Sequence, residues 1–142
     1  MDQDELADRI AQASDEGDTI LDLSRGGIKY LPPEIGNLTS LSLAFNQLTA
    51  LPPEISNLTG LTSLGLSNNQ LTVLPPELGN LTGLTSLNLS YNQLTALPPE
   101  IGDLTRLRWL SLAYNQLTVY TPEMERLEGR GVLHLPGNPF RF

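Results

Sequence analysis

Hydrophobic and polar positions recur in short, regular blocks along this chain. The block Leu-x-Leu-x-x-Asn-x-Leu begins at Leu41, Leu64, Leu87 and Leu110, and weaker copies begin at Leu21 and Leu133. The first interval between blocks is 20 residues and the other four are 23 residues. In Leu-x-Leu both leucines point to one side of a short strand, and the residue between them points to the other side. The pattern therefore predicts six short strands that send their leucines into a common core.

A proline-bearing segment connects successive strands. It reads LPPEIGNLT or a close variant and begins at Leu31, Leu51, Leu74 and Leu97. Its apolar residues recur three apart, as at Ile55, Leu58 and Leu61, which suits tight turns or 3₁₀ pieces better than a long helix. The Pro-Pro pair cannot lie in a helix interior or a central strand. One such coil cannot bury its own leucines but stacked coils can, so the repeats predict an α/β solenoid.

These residues resemble the leucine-rich-repeat family in its 23-residue form, LPxxIxxLxxLxxLxLxxNxLxx, over roughly residues 19 to 140. The resemblance implies a horseshoe with a parallel sheet on its concave face and short turns or 3₁₀ helices on its convex side. It also implies a stacked ladder of inward-pointing asparagines, at Asn46, Asn69, Asn92, Asn115 and Asn138. Gly26 holds the ladder position in the first copy, so we expect the ladder to start one coil late.

The N-terminal stretch departs from the repeat. Over residues 2–14, Leu6, Ile10 and Ala13 fall on one face at helical spacing, which predicts an amphipathic helix. We interpret this helix as the cap that closes the first coil; an acidic tail for a partner is the alternative. The second unit is three residues short, so we expect a thinner coil there, with a local change in curvature or a gap.

We expect one domain over residues 1–142, with the cap in 1–18, the repeats in 19–120 and a C-terminal repeat and cap in 121–142. In this last part Thr121 is suited to cap a short helix that begins with a proline. Arg130 falls where a coil would carry a leucine, which predicts that the last coil opens to solvent.

Charge and composition narrow the function. The 142 residues carry a net charge of −8, and half of the sixteen acidic residues lie between Asp2 and Asp22. This balance argues against nucleic acid and anionic membrane surfaces as partners. The chain has no cysteine and opens on an acidic segment without a long apolar run, so we expect a cytoplasmic protein with neither signal peptide nor membrane span.

The residue inventory argues against an enzyme. His134 is the only histidine, and Ser111 precedes it by one coil in the same strand column. Asp22, the acid of that column, is five coils away, roughly 24 Å at about 4.8 Å per strand, so it cannot orient the histidine. One histidine and no cysteine cannot assemble the usual transition-metal shell. We therefore expect no catalytic site, no metal and no cofactor.

The concave face carries the candidate binding residues. Most of its positions are small and neutral, and against them stand Trp109, Tyr91 and Tyr114, with Phe45 further along. Exposed aromatic residues on a strand face are frequent binding anchors, and the alternative is that they only stiffen the sheet. The candidate partner-binding set is Trp109, Tyr91, Tyr114, Phe45, Asn68, Asn88, Ser111, His134, Arg106 and Arg108. We expect the three C-terminal aromatic rings to form one patch, flanked by the two arginines.

These features predict a module that binds a protein or peptide through its concave face. The lead-in ADRIAQASDEGDTILDLS resembles that of bacterial Roco-type repeat proteins, in which a GTPase module follows. A structural or regulatory segment of such a larger protein is therefore one alternative, although no GTPase motif occurs in the chain. A consensus-like array without an evolved partner is another. We expect a monomer, with a homodimer as the alternative.

Overall fold

The computed structural model describes residues 1–141 and shows coils that each run out along a strand and return through a turn. The strands are β1 (Ile20–Asp22), β2 (Ser40–Ser42), β3 (Ser63–Gly65), β4 (Ser86–Asn88), β5 (Trp109–Ser111) and β6 (Leu133–His134). The helices are α1 (Gln3–Asp15) and α2 (Pro122–Gly129), and the 3₁₀ helices are η1 (Pro53–Asn57), η2 (Pro76–Asn80) and η3 (Pro99–Asp103).

The strands form one parallel sheet in sequence order, as the repeat pattern predicts. Their register follows the repeat without slippage, because Leu41 pairs with Leu64, Leu64 with Leu87 and Leu87 with Leu110. Each coil therefore places its leucines directly above those of its neighbour. This stacking buries almost all of the repeat leucines in one continuous core between the sheet and the returning turns.

The asparagine ladder is present as expected, and it begins one coil late. The Asn46 side-chain oxygen accepts hydrogen bonds from the backbone N–H groups of Gly26, at 3.0 Å, and Ile28, at 2.9 Å. Its amide nitrogen donates to the carbonyls of Leu23 and Leu43. Each ladder asparagine thus satisfies backbone groups of its own coil and of the preceding coil, which otherwise would be buried without partners.

The predicted capping helix is confirmed as α1. Asp2 caps it by accepting a hydrogen bond from the Glu5 backbone N–H at 2.8 Å, and the Glu5 carboxylate accepts one in return from the Asp2 N–H. Leu6, Ile10 and Ala13 are buried against the first coil. The helix therefore covers the apolar end of the stack with its one hydrophobic face.

The shortened second unit leaves a gap on the convex side, as expected. Residues 32–37 contain no 3₁₀ helix, whereas the later turns contain η1, η2 and η3, which stack on one another. A groove of about 340 Å³ opens between this turn and α1. It is lined by Ala7, Ile10, Ala11, Ser14, Pro32, Glu34 and Gly36.

The C-terminal coil replaces the 3₁₀ turn with helix α2, which the Thr121 hydroxyl caps through the Met124 N–H. Met124 and Leu127 are buried. Arg130 is exposed and reaches back to the preceding coil, where it donates to the carbonyls of Thr105, at 2.8 Å, and Leu107, at 3.0 Å. In the described part of the chain, neither helix is long and apolar enough to cross a membrane.

Candidate functional site

The outer residues of the strands make a shallow concave surface of mostly small side chains, from which a few aromatic rings project. Fractional exposures are 45% for Phe45, 52% for Tyr91, 50% for Tyr114 and 37% for Trp109. Large rings are normally buried because each removes much apolar area from water on burial. Four exposed rings on one side of a small solenoid therefore mark this surface as the candidate site.

Three of these rings share a backbone feature that the sequence pattern did not reveal. The residue before each ladder position has a left-handed backbone, with φ of 57° or 58° at Arg25, Phe45, Asn68, Tyr91 and Tyr114, and 80° at Gly137. We call these six residues the left-handed column. Outside glycine this conformation costs about 1–2 kcal/mol per residue. Gly137 is the one residue of the column that indicates this conformation in the sequence, because glycine adopts positive φ without strain.

The left-handed turn allows neighbouring coils to form backbone hydrogen bonds beyond the ends of the strands. The Phe45 N–H donates to the carbonyl of Ser67 at 3.0 Å, and the Asn68 N–H donates to the carbonyl of Ser90 at 3.0 Å, each in the next coil. The following residue is a buried ladder asparagine in each case. The strained turn therefore continues the inter-coil hydrogen bonds beyond the strand while the next side chain points inward.

Three pairs of neighbouring residues in the left-handed column contact each other along the edge where the strands end. The Tyr91 and Tyr114 rings stack with centroids 4.7 Å apart and planes 11° from parallel. The Arg25 guanidinium carbon lies 4.1 Å from the centre of the Phe45 ring. The Tyr114 ring covers Gly137 so closely that a Cβ atom there would lie 2.5 Å from it.

Trp109 lies at the opposite edge of the sheet, where β5 begins. Its ring contacts that of His134, with centroids 5.7 Å apart and planes at 48°. Five residues of nearly extended chain separate Trp109 from Tyr114, about 16 Å at about 3.3 Å per residue. The single aromatic patch predicted from the sequence is therefore wrong. The rings form two pairs at opposite edges, because Trp109 begins its strand whereas Tyr91 and Tyr114 follow the ends of theirs.

The small polar residues between the two edges differ in accessibility. Ser111, expected to offer a hydrogen-bonding group, is only 5% exposed, since it lies in register between Asn88 and His134. The half-buried Asn88 side chain accepts hydrogen bonds from the Ser90 N–H and hydroxyl, at 3.0 and 2.6 Å. Ser111 pairs in register with His134, and among the described residues no hydrogen bond joins their side chains.

Charges surround this surface unevenly. Arg106 and Arg108 are exposed just before β5, on the side of Trp109. At the other end of the sheet, two hydrogen bonds from Ser24, through its hydroxyl first and its backbone N–H second, hold the pKa of Asp22 below its ordinary value. Within residues 1–141 no three His, Asp or Glu side chains are grouped to hold a metal ion.

Comparisons with known proteins point to one family. A family model described as "Leucine rich repeat" matches residues 36–94 and 59–117. Of the solved structures, a leucine-rich-repeat protein of Leptospira interrogans is similar at 42% identity and a TM-score of 0.76, over 81% of this chain. The chain spans only 30% of that protein's length. None of the curated proteins matches the chain.

Two further structures extend the likeness. The ectodomain of the receptor kinase SOBIR1 from Arabidopsis thaliana is similar at 26% identity and a TM-score of 0.70, over 85% of this chain and 68% of that one. The leucine-rich-repeat domain of a Shigella effector is similar at 27% identity and a TM-score of 0.68, over 83% of this chain and 50% of that one. With the repeats, the parallel sheet and the asparagine ladder, these matches show that the chain belongs to the leucine-rich-repeat family.

Proposed function

We propose that this chain is a non-catalytic module that binds a protein or peptide across its concave sheet. Leucine-rich-repeat folds are commonly protein-interaction modules. The observation that carries the proposal is the exposure of Phe45, Tyr91, Tyr114 and Trp109 on a surface of otherwise small side chains. Aromatic anchors surrounded by small residues are accessible to a partner and lose little conformational entropy when they bind.

The two edges of the sheet suit different parts of one partner. At the Trp109 edge, Arg106 and Arg108 add positive charge to an aromatic surface, which favours a segment with apolar and acidic side chains. At the other edge the stacked Tyr91 and Tyr114 offer a broad apolar surface. A partner lying across the sheet from one edge to the other contacts both aromatic pairs.

The test compares the two faces of the solenoid. A partner is captured from the source cell, identified and purified, and its affinity is then measured for Trp109→Ala, Tyr91→Ala and Glu54→Ala. Glu54 is exposed in η1 on the convex side and serves as the control. We expect the concave variants to weaken binding by about 2 kcal/mol or more, roughly thirtyfold. Stronger weakening by Glu54→Ala, with all variants folded, would show that the partner binds the convex side.

The second candidate function is a structural or regulatory segment of a larger protein. It is favoured by the short span of this chain relative to the Leptospira protein, and by the lead-in that resembles Roco-type proteins. The natural reading frame distinguishes the two, since a GTPase or kinase domain encoded after the repeats supports this alternative. We propose the cytoplasm as the location, on the absence of cysteine from the chain.

A further inference from the structure

The left-handed column contains a gap at Asn68. Arg25 covers one face of the Phe45 ring, and Tyr114 covers one face of the Tyr91 ring. Asn68 lies in the coil between Phe45 and Tyr91, and its side chain is shorter than either ring. The uncovered faces of the two rings therefore border the same space, above Asn68. We call this space, between Phe45 and Tyr91, the ring slot.

The width of the ring slot follows from the spacing of the coils. Adjacent parallel strands lie about 4.8 Å apart, and the stacked tyrosine rings follow that spacing at 4.7 Å. Phe45 and Tyr91 are two coils apart, so their rings are separated by about 9.6 Å. A planar group midway lies about 4.8 Å from each ring, within the distances of about 4.5–7 Å for stacking and about 6 Å for cation–π contact.

The base of the ring slot is open and polar. Asn68 itself lies at the base, and the residue before it, Ser67, is buried. The strand residues of the same coil, Ser63 and Gly65, lie further along the concave face and carry no large side chain. Within residues 1–141 the half-buried Asn68 side chain makes no hydrogen bond. Its carbonyl oxygen is therefore available to accept a hydrogen bond from a group held between the rings.

We infer that the ring slot binds the guanidinium group of an arginine side chain from the partner. The inference rests on the proposed binding across the concave sheet and adds the residue type that one edge recognises. A guanidinium is planar, stacks on aromatic faces and presents N–H donors at its rim, where the Asn68 oxygen lies. Arg25 already places the same group against the other face of Phe45.

Charge favours the same occupant. The chain carries a net charge of −8, so a cationic side chain is attracted to it over a distance. The exposed Arg106 and Arg108 belong to the opposite edge, beside Trp109. The ring slot and the Trp109 edge thus select opposite charges at two places, which would fix the direction in which an extended segment lies across the sheet.

The test uses the full chain and a small probe, N-acetyl-argininamide, titrated at low ionic strength and followed by NMR chemical shifts. We expect saturable shifts centred on Phe45, Asn68 and Tyr91. The neutral planar N-acetyl-citrullinamide and the non-planar cation N-acetyl-lysinamide should both bind more weakly. Phe45→Ala and Tyr91→Ala should each weaken arginine binding by about two- to fivefold, the value of one exposed cation–π contact.

Two further variants test whether the probe binds in the ring slot. Asn68→Tyr places in the ring slot the residue type that the column tolerates at Tyr91 and Tyr114, so it should abolish probe binding while the fold is kept. Tyr30→Ala, which removes an exposed ring outside the strands, should change nothing.

Shifts that survive Phe45→Ala unchanged would overturn the inference, as would tighter binding of N-acetyl-tyrosinamide than of N-acetyl-argininamide. Failure of the proposed concave-face function would be seen separately, as partner binding that survives both Trp109→Ala and Tyr91→Ala. The probe experiment and the partner experiment therefore fail independently.

Discussion

Replacing Asn92 by alanine tests how the coils are held together. The buried Asn92 amide donates to the carbonyls of Leu66, at 2.9 Å, and Leu89, at 3.1 Å, and its oxygen accepts from the Leu71 N–H at 3.0 Å. The Leu66 carbonyl also accepts from Asn69 at 3.1 Å. The Leu66 carbonyl therefore keeps one hydrogen bond in the variant, whereas the buried Leu71 N–H loses the one partner that it has among residues 1–141.

The magnitude follows from that inventory. The Asn92 amide also donates to the Ser90 carbonyl at 3.3 Å, so its two N–H donors serve three carbonyls. An orphaned buried N–H costs about 1–3 kcal/mol, and the loss of the two amide N–H donors adds about 0.5–1.5 kcal/mol each, so Asn92→Ala should cost about 2–6 kcal/mol of unfolding free energy. Asn138 makes equivalent bonds to Leu112, Leu135 and Leu117, but these are only part-buried. Water can replace them there, so Asn138→Ala should cost about 1–2 kcal/mol.

Urea denaturation of the two variants measures this difference. Asn88→Ala is the matched control. In the described part of the chain, the oxygen of this half-buried asparagine accepts hydrogen bonds from Ser90 of its own coil and from no other residue, so its loss should cost about 1 kcal/mol or less. Equal destabilisation by Asn92→Ala and Asn138→Ala would contradict this expectation. It would mean that burial between coils does not increase the contribution of a ladder asparagine to the unfolding free energy.

Three other changes have defined expectations. Gly137→Ala should destabilise more than Gly131→Ala in thermal unfolding, since both have positive φ but only Gly137 has a ring 2.5 Å from the added Cβ atom. Ala11→Leu should fill the groove beside α1 and leave the unfolding free energy unchanged or higher by up to about 1 kcal/mol; a clear loss would contradict the gap. Ser24→Ala should raise the pKa of Asp22 toward its ordinary value in an NMR titration. Because the Asp22 pKa is lowered in the folded state, the Asp22–Ser24 contact stabilises the fold at pH values above the ordinary carboxyl pKa, and this stabilisation disappears as the pH falls through the lowered pKa. An Asp22 pKa that Ser24→Ala does not change would contradict this assignment.

The repeat pattern was sufficient for most of the fold. Leu-x-Leu spacing predicted all six strands and their register, because one residue of slippage would turn every leucine out of the core. The helix over residues 2–14 and the ladder from Asn46 onward followed from spacing in the same way. These features depend on periodicity, which a single sequence displays.

The candidate site was less predictable. The aromatic residues of the concave face were predicted from their equivalent positions in successive repeats. The separation of Trp109 from Tyr91 and Tyr114 was not, because it depends on whether each residue lies at the beginning of its strand or beyond its end. The burial of Ser111 depends on the neighbouring strands on both sides of it. The position of the rings and the burial of Ser111 depend on how the coils stack, and the sequence pattern of a single coil does not predict them.

Hydroxyl-radical footprinting of the purified complex with the captured partner tests most directly the claim that binding occurs on the concave sheet. The comparison is between Tyr91 and Tyr114, at the edge of the sheet, and Tyr30, which is 67% exposed and lies outside the strands. We expect partner binding to suppress labelling of Tyr91 and Tyr114 and to leave labelling of Tyr30 unchanged. Protection of Tyr30 with undiminished labelling of the other two tyrosines would contradict it.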